Sequence, residues 1–180
     1  MKTLSSALIA LGLVLPSAAV AGGRYGDDAA PIATVERLDI NRYAGLWYEI
    51  ARFPNRFERN CFAVTAEYTL RDDGTVGVTN TCRKGSVDGR VDVANGSARV
   101  EGVGRLSVNF VSFLPFIRGD YFVLDVTPDY SMAVVGEPGR DYGWILARSP
   151  ALSEGDYNRA LSVLERNGYR TEGLERVVHP

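Results

Sequence analysis

Short runs of alternating apolar and polar residues repeat along the chain from residue 45 onward. In residues 64–70, apolar side chains alternate with threonine and glutamate, which is typical of a strand with one buried face. The turn at residues 71–74 leads into a second strand, in which Val76 and Val78 face inward. The same pattern predicts six further strands, at residues 45–53, 94–100, 105–110, 121–125, 132–135 and 142–147.

Eight short strands in succession predict an all-β fold, an eight-stranded antiparallel up-and-down β-barrel. Such a barrel closes around an interior that can hold one small ligand, and closure removes exposed sheet edges. A capped apolar stripe from Ser153 to Gly168 predicts one C-terminal α-helix packed outside the barrel. Period two along the strands predicts which side chains line the ligand cavity: Glu49, Val64, Ala66, Tyr68, Val76, Val78, Val108, Phe110, Phe122 and Leu124.

The first 21 residues have the features of a signal peptide. Lys2 precedes an apolar run that ends at Pro16, and residues 19–21 match an A-x-A cleavage site. The run is short for a helix that spans a bilayer, although a retained membrane anchor is the alternative. We expect residues 1–21 to be removed, residues 22–32 to form a flexible N-terminal arm and residues 33–180 to form a single domain.

The composition contains few of the residues that metal sites and hydrolase active sites require. His179 is the only histidine, and Cys61 and Cys82 are the only cysteines, so a His/Cys metal site or a Ser-His-Asp hydrolase is hard to build. The formal net charge is −2, and no long block of one sign indicates nucleic-acid binding. We therefore expect no metal, no cofactor and no nucleic-acid partner.

Three motifs in a fixed order indicate a family. Gly45 and Trp47 open the first strand, Asp129 and Tyr130 form a turn, and Arg148 follows the last strand. Together they resemble the lipocalins, most closely the bacterial outer-membrane lipocalins related to apolipoprotein D. The resemblance implies a lipocalin barrel whose closed floor contains all three motifs in a structural role. An arginine over a tryptophan there is worth on the order of 1 kcal/mol of cation–π attraction.

The same resemblance bears on location. Bacterial relatives often carry a lipidated cysteine at the cleavage site, where this chain has Gly22. We therefore expect an exported protein that is soluble in the periplasm, with the outer membrane as a place of peripheral contact.

The connections after strands one, three, five and seven are expected to form the barrel mouth. They contain several arginines, including Arg59 and Arg118, which are either a solvated surface or a cationic rim for a ligand carboxylate or phosphate. Residues 113–117, with Phe113 and Phe116, are apolar. They are either core, if the strand end is misplaced, or an apolar lip that touches ligand, membrane or a second copy in a homodimer.

Glu49 is expected to face an apolar interior, where a carboxylate is costly unless it is paired or protonated. It either pairs with an interior arginine or orients a polar group of the ligand. Cys61 and Cys82 lie at the mouth ends of neighbouring strands, and a disulfide is expected in an exported protein. The register that pairs Tyr68 with Val78 leaves the cysteines out of step, so a bulge must absorb the difference.

These features predict a carrier of a small amphiphilic lipid, such as a fatty acid or lysophospholipid, for storage or transport in the cell envelope. We expect it not to be an enzyme. Two alternatives are a lipocalin-type enzyme that uses a cavity cysteine, and a filled barrel that acts as an inhibitor or adhesin. The small inward side chains favour an open interior over a filled one.

Overall fold

The computed structural model describes residues 24–180, so the predicted signal peptide lies outside the described residues. A short helix, α1 (Ile40–Tyr43), precedes eight strands and the helix α2 (Glu154–Arg166). A 3₁₀ turn at Thr171–Gly173 and a two-residue strand, β9 (Glu175–Arg176), follow. The eight strands are β1 (Gly45–Arg52), β2 (Cys61–Leu70), β3 (Val76–Lys84), β4 (Arg90–Gly102), β5 (Arg105–Asn109), β6 (Gly119–Val126), β7 (Met132–Gly136) and β8 (Gly143–Ala147).

Each strand pairs antiparallel with the next, and β1 pairs with both β2 and β8. This pairing closes the eight strands into a barrel, which confirms the predicted fold. Tyr68 lies opposite Val78, which is the predicted register of β2 and β3. The turns at residues 71–75, 103–104 and 127–131 lie at one end of the barrel, and the loops at 53–60, 85–89, 110–118 and 137–142 lie at the other.

The wall of the barrel has an apolar layer on each side. The inner layer includes Trp47, Val78 and Val123, and the outer layer includes Ile145, Val134 and Leu164 of α2. Helix α2 begins after Ser153, whose Oγ accepts the N–H of Asp156 at 3.1 Å, and so satisfies an end group of the first turn. Burial of its apolar face, rather than its own helix propensity, holds it against the sheet.

The C-terminal segment completes the wall at the mouth end. Beyond Tyr48, β1 no longer pairs with β2, and β9 pairs with β1 in its place. The N–H of Val177 donates to the carbonyl of Ile50 at 2.9 Å, and the N–H of Ala63 donates to that of Val178 at 2.8 Å. The segment therefore bridges β1 and β2, a role that the period-two pattern did not predict.

The segment predicted to be a flexible arm is anchored to the barrel in the part that the structure describes. The ring of Tyr25 stacks on Phe53 with centroids 4.7 Å apart, and its hydroxyl donates to the carbonyl of Pro54 at 2.7 Å. Arg140, which is 1% exposed, donates to the carbonyl of Ala30 at 2.7 Å. The small polar composition of the segment concealed these contacts, because most of them use its backbone.

Cys61 and Cys82 form a disulfide, as predicted, with Cα atoms 5.4 Å apart. The register between β2 and β3 shifts between Phe62 and Thr65, and Ala63 has a φ of 47°. This bulge is the irregularity that the cysteine positions required.

Replacing both Cys61 and Cys82 with serine is expected to lower the free energy of unfolding by roughly 3 kcal/mol, because the bond closes a loop across 21 positions. Urea unfolding of the oxidised wild type and of the double variant measures the difference. Reduced wild type is the control and should match the variant. Equal midpoints for oxidised wild type and variant would show that the crosslink adds no stability.

No helix within residues 24–180 has the length and apolar character that crossing a membrane requires.

Candidate functional site

The floor of the barrel is sealed by Trp47 and Arg148. Trp47 is fully buried, and its indole N–H donates to the carbonyl of Tyr43 at 2.7 Å. The guanidinium carbon of Arg148 lies 3.8 Å from the centroid of the Trp47 ring. Arg148 also donates to the carbonyls of Leu46 at 2.6 Å and Ala44 at 2.9 Å. The cation therefore fastens the segment around α1 across this end of the barrel.

The predicted turn motif lies at the same end. Asp129 accepts hydrogen bonds from the N–H and hydroxyl of Ser131. Hydrogen bonding from the Thr127 side chain and from Ser131 lowers the pKa of Asp129 to about 2. The Tyr130 hydroxyl accepts the N–H of Asp39 at 2.8 Å, and the guanidinium of Arg42 lies over its ring. Together with Gly45, whose φ is 92°, these residues shape the floor.

Three tyrosine hydroxyls meet inside the barrel above the floor. The Tyr121 hydroxyl is 2.7 Å from that of Tyr43 and 2.9 Å from that of Tyr68. Burial raises the pKa of all three tyrosines, and that of Tyr68 to about 12. All three hydroxyls are therefore neutral near pH 7. The cavity beside them is only about 10 Å³, so the tyrosines fill most of this level.

Several of the predicted cavity residues face the interior. Tyr68, Val76 and Val78 are buried in the inner apolar layer, and Ala66 and Val108 are partly buried against it. Asn80 lies on the same face as Val78, and its buried Oδ1 accepts no hydrogen bond from any described residue. Contact between any of these side chains and a ligand stays a prediction.

The prediction for β6 chose the wrong face. Leu124 is buried in the outer layer beneath α2, and Phe122 packs against the same layer with Arg105 over its ring. The residues of this strand that face inward are Tyr121 and Val123. The strand is covered on both sides, so both sets are apolar and period two could not distinguish them.

Two other predicted cavity residues lie near the mouth. Val64 is displaced by the bulge in β2 and packs against the disulfide and Val177. Phe110 follows the end of β5, is 45% exposed, and rests its ring on Gly96, where an added Cβ would lie 2.8 Å from a ring carbon. Gly96 thus leaves room for this ring.

A cluster of charged and polar side chains occupies the upper interior. Glu49 accepts a hydrogen bond from Arg52 Nη1 at 2.8 Å, and both side chains are buried. Pairing with an interior arginine is one of the two roles predicted for Glu49. Arg52 also donates to the carbonyls of Glu58 at 3.2 Å and Cys61 at 3.1 Å. Trp144 Nε1 donates to the Glu58 carboxylate at 3.2 Å.

The surroundings of Glu49 change the pKa of its carboxyl. Burial raises the pKa of Glu49 well above its usual value, and Glu58 raises it further through charge repulsion and a hydrogen bond. Arg52 acts in the opposite direction but does not cancel these effects.

The apolar segment 113–117 is an exposed loop, which excludes the alternative that it is core. Phe113 is 80% exposed and Phe116 is 77% exposed. The buried Asn109 holds the loop by donating to the carbonyls of Leu114, at 2.9 Å, and Ile117. The two rings are thus presented to solvent on a loop with a defined shape. We call Phe113, Phe116 and Ile117 the apolar lip.

The two predicted mouth arginines differ. Arg59 is exposed in the loop between β1 and β2. Arg118 instead lies along the outer surface of β5, where it donates to Ser107 Oγ at 2.8 Å and to the Ser107 carbonyl at 2.6 Å. These bonds turn Arg118 away from the mouth. The prediction that Arg118 belongs to a cationic rim is therefore wrong.

A family model described as a lipocalin-like domain matches residues 38–179. The chain belongs to this family.

Relatives from bacteria, plants and animals support the assignment. The outer membrane lipoprotein Blc of Escherichia coli K12 is 41% identical over 140 residues, covering 77% of each chain. Temperature-induced lipocalin-1 of Arabidopsis thaliana is 37% identical over 151 residues, covering 79% of this chain and 80% of its own. Apolipoprotein D of Bos taurus is 30% identical over 148 residues, covering 77% and 76%.

Solved structures show the same fold at lower identity. Lobster apocrustacyanin A1 aligns with a TM-score of 0.63 and 21% identity, covering 78% of this chain and 79% of its own. Insecticyanin from the tobacco hornworm Manduca sexta aligns with a TM-score of 0.64 and 19% identity, covering 84% and 86%.

The upper cluster of this lipocalin contains residues that the sequence patterns did not select. Strict period two from Trp47 turns Arg52 outward, but the register between β1 and β8 shifts between Glu49 and Ala51. The bulge brings Arg52 back to the interior beside Glu49. Glu58 lies in the loop between β1 and β2, and no pattern in the sequence distinguishes it from the other charged residues of that loop. The signal available in the sequence was an inward carboxylate that needed a nearby cation.

Proposed function

We propose that this lipocalin is a non-enzymatic carrier that binds one single-chain amphiphilic lipid, such as a fatty acid or lysophospholipid, within the cell envelope. The observation that carries the proposal is the contrast between the barrel ends. One end is sealed by Trp47 and Arg148, and the other ends in loops that expose Phe113 and Phe116. A lipid tail would enter at the apolar lip and be covered by the inner apolar layer.

Other features support the proposal. The predicted signal peptide favours export, and the similar Escherichia coli and Citrobacter freundii proteins are named outer membrane lipoproteins. A lipocalin-type enzyme with a cavity cysteine would need a thiol, whereas the two cysteines of the sequence are joined to each other. Asn80 Oδ1 is a buried acceptor for a ligand hydroxyl.

The filled lower barrel sets a limit on the ligand. Only about 10 Å³ is open beside the tyrosines, so the tail is expected to end above the hydroxyls of Tyr68 and Tyr121.

Affinity for saturated fatty acids is therefore expected to rise about fourfold for each added methylene and then level off, because each buried methylene contributes about 0.8 kcal/mol. Calorimetry or fluorophore displacement on acids of increasing chain length measures this, and the matching alcohols serve as controls for the head group. Native mass spectrometry should show one lipid per barrel. Affinity that does not change with chain length would contradict a site inside the barrel.

A further inference from the structure

The inner face of β3 carries an amide oxygen that no neighbouring side chain satisfies. Asn80 faces the interior, and its buried Oδ1 accepts no hydrogen bond from any described residue. Its neighbours across the sheet are Ala66 of β2 and Ala94 of β4. Along β3, the next residues on the same face are Val78 and Cys82, whose sulfur is in the disulfide. None of these four side chains has a proton to donate, so a donor for Oδ1 must come from whatever occupies the barrel.

The inner surface beside this amide can be reached from the mouth. Ala94 shares its face of β4 with Gly96 and with the buried Ala98, yet Ala94 is exposed. β4 pairs with β5 only from Ser97 onward, so the wall around Ala94 is paired on the β3 side alone within the described strands. Alanine and glycine are also the smallest residues, and they leave room beside Asn80 for a group of the ligand.

A hydroxyl proton without an acceptor lies at the next level down. The hydroxyls of Tyr43 and Tyr68 both bond that of Tyr121, at 2.7 and 2.9 Å. Three hydroxyls carry three protons and the two bonds use two of them, so one proton has no acceptor among the described residues. Tyr43 lies in α1 at the floor. Tyr68 is opposite Val78, which makes it a diagonal neighbour of Asn80 on the inner face. A ligand that enters from the mouth therefore meets the Tyr68 end of the three hydroxyls.

We propose that Asn80 and Tyr68 form a subsite for a hydroxyl at the inner end of the ligand, so that the preferred ligand is a long-chain amphiphile hydroxylated at the end of its tail. This inference rests on the proposed carrier function and names the class of lipid that the carrier prefers. The ligand hydroxyl donates its proton to Asn80 Oδ1 and accepts the spare proton from Tyr68. One oxygen atom thus satisfies both groups, whereas a terminal methyl leaves both unpaired.

The surroundings favour a neutral hydroxyl over other polar groups at this end of the ligand. A carbonyl oxygen can accept from Tyr68 but has no proton for Asn80. A carboxylate has the same defect, and it would also bring a charge among the buried side chains of Val76, Val78 and Val123, which costs more than burying a neutral group. An ammonium group can donate to Asn80 but cannot accept from Tyr68. A hydroxyl both donates and accepts, and so completes the pair.

Two ligands of equal chain length test the subsite on the unaltered protein. Palmitic acid and its ω-hydroxy derivative differ only at the end of the tail. The ω-hydroxy acid is expected to bind roughly tenfold more tightly, because it gains two buried hydrogen bonds that palmitic acid cannot make. An ordinary apolar site has the opposite preference, since a hydroxyl that is buried without a partner costs affinity. Calorimetry on protein freed of lipid measures both dissociation constants.

Replacing the amide with an apolar side chain of similar size tests the role of Asn80. Asn80→Leu is expected to bind the ω-hydroxy acid about tenfold more weakly and palmitic acid at least as tightly as the wild type. Because the substitution removes a buried acceptor that has no partner, the midpoint of urea unfolding should not fall. Asn95→Leu, on the exposed outer face of β4, is the matched control and should leave both affinities unchanged. If Asn80→Leu keeps the preference for the ω-hydroxy acid, other groups bind the hydroxyl and the proposal is wrong.

Two phenylalanine variants test which tyrosine donates to the ligand. Tyr68→Phe and Tyr43→Phe each remove one of the two bonds to Tyr121, but only the first removes the hydroxyl beside Asn80. Tyr68→Phe is expected to bind the ω-hydroxy acid about fivefold more weakly and palmitic acid as the wild type does. Tyr43→Phe should keep the wild-type preference. Equal losses in both variants would show that the three hydroxyls only support the barrel, which contradicts the role given to Tyr68.

The same pair of ligands distinguishes a failure of the subsite from a failure of the carrier function. If neither acid binds to the wild type, the carrier function fails and the subsite fails with it. If palmitic acid binds and its ω-hydroxy derivative binds equally or more weakly, the carrier function stands. In that case water is as good a partner for Asn80 and Tyr68 as the ligand hydroxyl, and the subsite is overturned.

Discussion

Replacing Trp47 with alanine is expected to lower the free energy of unfolding by about 3–5 kcal/mol. Trp47 is fully buried, its ring lies 5.1 Å from that of Tyr43, and Arg148 covers its face at 3.8 Å. The substitution leaves a cavity at the barrel floor and removes the cation–π contact. Urea unfolding at equilibrium, followed by circular dichroism, measures the change.

The neighbouring residue provides the matched control. Leu46 is 43% exposed on the outer side of the same strand, so Leu46→Ala is expected to change the free energy of unfolding by less than about 0.5 kcal/mol. Similar small losses for both variants would contradict the structural role given to the floor motif. The ligand should still enter from the other end, so Trp47→Ala is expected to weaken binding less than it weakens folding.

The barrel was predictable because buried and exposed side chains alternate strictly along most of its strands. The register between β2 and β3 followed from the positions of Tyr68 and Val78, and two cysteines out of step with it required a bulge. The floor contact between Trp47 and Arg148 followed from the order of the motifs, since an up-and-down meander returns the start of β1 and the end of β8 to the same end.

The failures have equally local causes. Phe122 and Leu124 were misplaced because α2 covers their side of the sheet, which makes both faces of β6 apolar. Arg52 was missed because a bulge reverses the side on which it lies. Arg118 was expected at the mouth, but its guanidinium instead bonds the hydroxyl and the carbonyl of Ser107 on the outer surface of β5. Alternation carries no information on bulges, on covering elements or on bonds between side chains and distant backbone.

Glu58 is a second residue of the upper cluster that the sequence patterns did not reveal. From the sequence, this residue is one charged position in a polar loop. Its bonds to Asn55 and Trp144 bring it to the mouth beside Glu49. The sequence indicated a carboxylate facing an apolar interior. The fold shows the cation that pairs with it, Arg52, and a second acid, Glu58, that opposes its ionisation.

Replacing both Phe113 and Phe116 with serine is expected to weaken lipid binding strongly with little effect on folding. Both rings are more than three-quarters exposed, so the free energy of unfolding should change by less than about 0.5 kcal/mol. If bound lipid covers both rings, the lost apolar contact is worth about 2–3 kcal/mol, or a 30- to 150-fold weaker affinity. The loss should be equal for a fatty acid and its alcohol, because the lip has no charge.

Two variants bound the interpretation of that result. Val100 and Val103 are 53% and 56% exposed at the floor end, and replacing both with serine removes a similar exposed apolar pair while leaving the mouth intact. This control should bind lipid as the wild type does.

Arg59→Gln should weaken the binding of the fatty acid and not that of its alcohol. The effect should be larger at low salt, because salt screens exposed charges. If the Phe113/Phe116 variant binds lipid normally but changes from dimer to monomer in sedimentation, then the lip covers a second copy of the chain. In that case the lipid enters the barrel elsewhere along the mouth.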